Sequence, residues 1–101
     1  MSFATTTQDG CAVISVPARF DFRLMQDFHA AMDDAVAQRP GSEIVVDLGG
    51  TDYLDSSALG MLLVLRDRAR HQSKSVVLAR ARGSVGNLLR IANFGKLFDF
   101  R

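Results

Sequence analysis

The run Glu43 to Leu48, EIVVDL, constrains the chain most. It is a nearly continuous apolar stretch of strand length, as expected of a parallel strand covered by helices. Parallel neighbours need crossover connections, and the flanking segments have the helical period to supply them. Upstream, Leu24, Met25, Phe28, Met32, Ala35 and Val36 recur at three- and four-residue steps while Asp27, Asp33 and Asp34 face away, which predicts an amphipathic helix stopped by Pro40-Gly41. Downstream, Gly49-Gly50 opens a loop, and Ser56 to about His71 is too long for a strand and predicts a second helix. The β-branched run 12–16 (AVISV), bounded by Gly10 and Pro17, and the run 75–79 (SVVLA) predict two more strands. Val85, Leu88, Leu89 and Ala92 give a third helical stripe, Gly95 is placed to cap it, and Leu97 to Phe100 suit a short last strand. Residues 2 to 7 suit an edge strand.

Strands alternating with helices through short loops imply βαβ crossovers, which are right-handed in nearly all cases. The expected fold is one layered α/β domain over residues 1–101, with packed helices and a mainly parallel mixed sheet. A chain of 101 residues buries roughly two thirds of its unfolded surface, enough for a core without disulfides or metal. In such folds the loops after the carboxyl ends of the strands form the usual binding edge. Here those loops are Pro17 to Arg23 and Gly49 to Ser57.

The net charge of +1 argues against a general polyanion binder, but it hides an asymmetry. Residues 1 to 65 hold three basic and nine acidic side chains; residues 66 to 101 hold nine basic and two acidic. Without interleaved exposed aromatics, the basic half reads as a solvated face rather than a nucleic-acid surface. Cys11, the single cysteine, begins a strand, and no metal-ligand spacing is present. The N-terminus has neither a cationic segment nor an apolar core of signal type, and the longest apolar run is Ala58 to Leu65, so a soluble cytoplasmic chain without direct membrane insertion is expected.

Enzymatic signatures are missing. His29 and His71 fall on helices, far in sequence from the binding edge, and no nucleophile elbow, P-loop or dinucleotide fingerprint occurs. Gly49-Gly50 lacks the downstream Lys of a phosphate loop and reads as a tight turn. Asp21, Asp47, Asp52 and Asp55 can cluster at one edge, resembling the acidic pocket of a metal-dependent phosphoacceptor, but no Lys completes such a pocket, and solvated loop acids are the simpler account.

The segment Thr51 to Leu65, TDYLDSSALGMLLVL, stands apart. Asp55 or Ser56 can cap the second helix, typically worth ~1 kcal/mol. Capping explains one polar residue, not two adjacent serines leading a helix that is apolar on nearly all sides. Ala58, Leu62, Leu65 and Ala69 share one stripe suited to the core, with Leu59 and Leu63 beside it, while Ser57, Met61, Val64 and Arg68 lie round another face. Either a neighbouring helix covers Met61 and Val64, or they form an apolar docking patch beside the serines.

The motif Asp55-Ser56-Ser57-Ala58-Leu59-Gly60 resembles the signature of STAS domains, specifically the stand-alone anti-sigma factor antagonists of bacteria. Arg19-Phe20-Asp21 resembles the family's turn into its first helix, and Val85 to Phe98 resembles its last helix, Gly turn and short strand. The three segments occur in the family's order and spacing. Ala58 stands where many members have Gly, and Pro17-Ala18 replaces the usual Gly-containing turn.

The resemblance implies a non-enzymatic partner switch. The unphosphorylated antagonist binds an anti-sigma factor that is itself a serine kinase, freeing that factor's target; phosphorylation ends the complex, and a PP2C-type phosphatase restores it. By position the phosphorylated residue is Ser56, with Asp21, Asp55, Ser57, Met61 and Val64 expected on the partner-binding surface. ATP belongs to the kinase, so no cofactor is expected in this chain. The nearest alternative within the family is a non-catalytic subunit of a lipid-transporting membrane ATPase, a role that does not require a phosphorylatable serine.

Overall fold

The computed structural model describes residues 3–38 and 43–101; the helix stop expected at Pro40-Gly41 lies outside them. Strand β1 (Ala4–Gln8) turns back through Asp9 and Gly10, both at positive φ, into β2 (Cys11–Ser15). The chain continues through β3 (Arg19–Phe20), α1 (Met25–Val36), β4 (Glu43–Asp47), β5 (Tyr53–Leu54), α2 (Ser56–His71), β6 (Ser75–Ala79), α3 (Gly83–Ile91) and β7 (Asp99–Phe100). The five long-sheet strands lie in the order β1-β2-β4-β6-β7, with β1 antiparallel to β2 and every other pair parallel.

That order dictates where the helices go. Passing from β2 to β4, β6 and β7, the chain always steps in the same direction across the sheet, and right-handed crossovers then put all three helices on one face. Strand alternation follows this asymmetry: Ala12, Ile14, Ile44, Val46, Val76 and Leu78 join one core with Phe28, Met32 and Ala35 of α1 and with Leu62 and Leu65 of α2. The opposite face carries Val13, Val45 and Val77 and is crossed by two ion pairs, Glu43 with Arg101 and Asp47 with Arg80. The apolar run of β4 therefore lies under helices on one side only, with Ile44 and Val46 buried and Glu43, Val45 and Asp47 half-buried on the other. No described helix is long and apolar enough to cross a membrane.

A second, two-stranded parallel sheet pairs β3 with β5 at the carboxyl edge of the main one. It buries Phe20, whose ring packs 5.0 Å from both Phe3 and Phe28, together with Leu54. At the end of α3 the chain reverses at Asn93, which takes up the left-handed conformation (φ 63°) that terminates helices. Gly95 is therefore not the cap: it lies two residues further on, inside the short 3-10 turn 94–96.

Candidate functional site

Three segments meet at the carboxyl edge: the loop after β2, the loop after β4, and the start of α2. Backbone and side-chain bonds knit the first two together. The Ala18 carbonyl accepts from the Asp52 and Tyr53 amides at 2.9 and 3.2 Å. Thr51, 7% exposed, donates its hydroxyl to the Val16 and Pro17 carbonyls, satisfying polar groups that burial would otherwise leave unpaired. Sequence reasoning did not single out Thr51; its signal is a β-branched hydroxyl placed just after the Gly49-Gly50 turn.

Asp55 joins the loops to the helix. One carboxylate oxygen accepts from the Ala58 amide at 2.9 Å and caps α2; the other accepts from the Phe22 amide at 3.1 Å. Both oxygens are thus committed to backbone donors, and the question of which residue caps α2 is answered in favour of the aspartate. Ser56 follows as the first helical residue, exposed, its hydroxyl without a hydrogen-bond partner among the described residues. Ser57 behind it is half-buried.

The other acids do not converge. Asp21, 5% exposed, caps the 3-10 turn Phe22–Leu24 by accepting from the Arg23 amide, and it is paired with the Arg23 guanidinium at 2.8 Å and the Arg19 guanidinium at 3.4 Å. The side-chain bond from Arg23 is the main reason its pKa falls from 3.8 to about 2, desolvation acting in the opposite sense. Arg19 also lies over the Tyr53 ring, 4.2 Å from the centroid. Asp47 accepts from Arg80 in a two-point pair at 2.9 and 2.8 Å and from the Gly49 amide, and the Arg80 bond holds its carboxyl below the usual range. Among the described residues no group of three or more His, Cys, Asp or Glu side chains is placed to hold a metal ion.

Two expectations for the partner surface change. Met61, 8% exposed, belongs to the core. The reason is α1, which lies alongside α2 and is tied to it by the Arg68–Asp33 ion pair at 2.6 Å. Val64 is 37% exposed and Leu63, expected beside the core stripe, 39%. The core stripe itself, Ala58, Leu62, Leu65 and Ala69, is fully buried. Asp21 is also too recessed to be a free acidic contact. The largest apolar feature at the edge is instead Phe22, 62% exposed, whose backbone amide is bonded to Asp55. His29 and His71 are exposed on the helices.

Comparison with known proteins gives a consistent picture. A family model described as "Mlab, STAS domain" matches residues 3–99. A STAS-domain-containing protein of Pseudomonas aeruginosa (strain UCBPP-PA14) is 47% identical over 85 residues, 84% of this chain and 82% of that protein. An anti-sigma factor antagonist (STAS) domain protein from Planctomyces limnophilus superimposes with a TM-score of 0.88 over 99% of this chain and 89% of the other, at 16% identity. The anti-sigma factor antagonist SpoIIAA in its unphosphorylated form gives 0.75 over 99% and 87%, also at 16% identity, and the Bacillus SpoIIAA in its phosphorylated form gives 0.72 over 99% and 91%. At such identities the structural likeness establishes the fold.

Proposed function

The chain belongs to the STAS domain family, and from that premise we propose that it is an anti-sigma factor antagonist whose binding is switched by phosphorylation of Ser56. One observation carries the reading: at the start of α2 the capping work is done by Asp55, and the neighbouring Ser56 hydroxyl is exposed and unbonded. A serine the fold does not need stands where a modifying enzyme can reach it. SpoIIAA, which shares the fold, exists in unphosphorylated and phosphorylated forms.

The physics of the switch is local. A phosphoryl group adds about 1.5 to 2 negative charges at the first residue of a helix, an end whose unpaired amides tolerate anions. The fold is therefore little disturbed, and the effect falls on whatever protein packs against this edge. An interfacial penalty of ~3 kcal/mol weakens binding more than a hundredfold. The partner in this reading is an anti-sigma factor with serine kinase activity, and a PP2C-type phosphatase reverses the step. Asp55, Ser57 and Val64 flank the acceptor on the partner-binding surface, Asp21 shapes the adjoining loop from beneath, and Met61 supports the helix from the core side.

The test is binding to the cognate kinase with and without ATP. Ser56→Ala forms the complex and is not released by ATP; Ser56→Asp binds at least a hundredfold more weakly. Release of Ser56→Ala by ATP as fast as the wild type defeats the proposal. Co-purification with an integral-membrane permease in place of a soluble kinase defeats it too, in favour of a transporter subunit.

A further inference from the structure

The four acids of the carboxyl edge suggest, on formal charge, an acidic surface. The structure turns this round, because in each ion pair there the acid is the recessed member and the arginine projects. The Asp21 side chain is 6% exposed against 56% for Arg19 and 63% for Arg23; the same holds for Asp47, 23% exposed against 63% for Arg80, on the sheet face away from the helices. Arg82, exposed on the loop after β6, donates to the Gly49 carbonyl at 2.9 Å and has no carboxylate partner among the described residues. Asp55 spends both oxygens on backbone amides at a helix N-terminus, whose dipole offsets its charge. Of the four edge acids only Asp52 is exposed without such a partner among the described residues. The bond from the Phe22 amide to Asp55 ties the Phe22–Arg23 loop to the start of α2, next to Ser56 in the chain.

Taking the partner switch above as its basis, we infer that the partner surface facing Ser56 is acidic and surrounds an apolar pocket that receives Phe22. Arginines with carboxylates on one side keep donors free on the other, and such forks suit carboxylate recognition. Phe22 has the character of an interface anchor: large, rigid, exposed, and fixed through its own backbone. The charge arrangement also explains why phosphorylation ends the complex. The new charge on Ser56 is set against partner carboxylates, where like-charge juxtaposition in a desolvated contact is strongly unfavourable.

The experiment is calorimetric titration of the purified cognate anti-sigma factor kinase with wild-type chain and four variants, Phe22→Ala, Arg23→Gln, Arg82→Gln and Asp52→Asn, each checked for an unchanged melting curve. Phe22→Ala and Arg23→Gln are expected to raise Kd about tenfold, and Arg82→Gln about threefold. Asp52→Asn is expected to lower Kd, and wild-type affinity to fall as salt is raised. Arg82 has no carboxylate partner among the described residues, so it reports on the rim even where Arg23→Gln perturbs the Asp21 loop. A basic partner surface reverses the signs, with Arg82→Gln tightening and Asp52→Asn weakening the complex, and that pattern overturns the inference. It is also overturned if the variants bind the kinase as wild type does but lose affinity for duplex DNA. Mass spectrometry of phosphate on Ser56 after ATP is added to the same samples separates the two levels. Phosphorylated Ser56 with unaltered Kd values refutes the acidic surface alone; unmodified Ser56 refutes the switch.

Discussion

Asp55 and Ser56 are adjacent and both polar, yet they do different work, and truncating each in turn tests that division. In Asp55→Ala, α2 loses its cap to the Ala58 amide and the Phe22 amide loses its acceptor. A lost N-cap costs about 1 kcal/mol, and a charge-assisted bond to a backbone amide contributes about 1.5 kcal/mol. Together they give a destabilisation of about 2.5 kcal/mol, a drop in Tm on the order of 10 °C for a domain of this size. Ser56→Ala removes an exposed hydroxyl with no partner among the described residues and changes stability by less than about 0.5 kcal/mol. Asp55→Asn falls between, since the amide oxygen can keep the cap while its NH2 group cannot accept from Phe22. Urea denaturation followed by circular dichroism measures all three on one scale. The reasoning is refuted if Ser56→Ala is the costly change and Asp55→Ala the neutral one, because the serine would then be the cap and a need of the fold, not of the switch, would explain its place there.

Three further outcomes follow from the same geometry. Phe20→Ala empties a fully buried site between Phe3 and Phe28 and should cost about 3 to 5 kcal/mol in denaturation. A Cβ at Gly49 meets the Arg80 guanidinium, so Gly49→Ala displaces the Arg80–Asp47 pair; Gly49→Ala and Arg80→Ala should each cost at most about 1 kcal/mol and the double variant no more than the larger, as a thermodynamic cycle can measure. The Asp21 carboxyl titrates at about 2 in the fold against an ordinary 3.8, so between those values the unfolded chain binds more protons and stability rises with pH. Its contribution is complete above about pH 5 and lost as pH falls from 4 to 2. Asp21→Asn should flatten the stability profile over that range, and an unchanged slope would contradict the assignment.

How far the fold was legible depended on whether a local pattern or a neighbour decided the outcome. The stripe Ala58, Leu62, Leu65 and Ala69 repeats at helical spacing over three turns, and all four residues are buried as the spacing predicts. The alternation of strands and helices likewise implied parallel order and right-handed crossovers. Met61 was ambiguous because its face of α2 is decided by where α1 lies, a long-range matter that periodicity does not encode. Asn93 took the role expected of Gly95 because a left-handed residue is required directly after the last helical turn, and asparagine tolerates that conformation.

At the edge, residue types were easier to read than their pairing. The alternation Arg19, Asp21, Arg23 is a visible signal of an acid clasped by two arginines, but formal counting treated Asp21 as a free negative charge. Phe22 was hidden by Phe20. A strand continued through both would set them on one face, whereas β3 ends at Phe20 and the turn capped by Asp21 swings Phe22 outward. Asp55 and Ser56 were recognised as a pair, and only the geometry of the two Asp55 oxygens assigned the cap to one of them.

The most direct test of the switch is mass spectrometry of the intact and digested chain after incubation with its cognate serine kinase and ATP, with the complex followed by size-exclusion chromatography in the same reaction. The account predicts one phosphate, on Ser56, appearing as the complex dissociates, and neither event in Ser56→Ala. Phosphate confined to another residue, or a complex that survives full modification of Ser56, would contradict it.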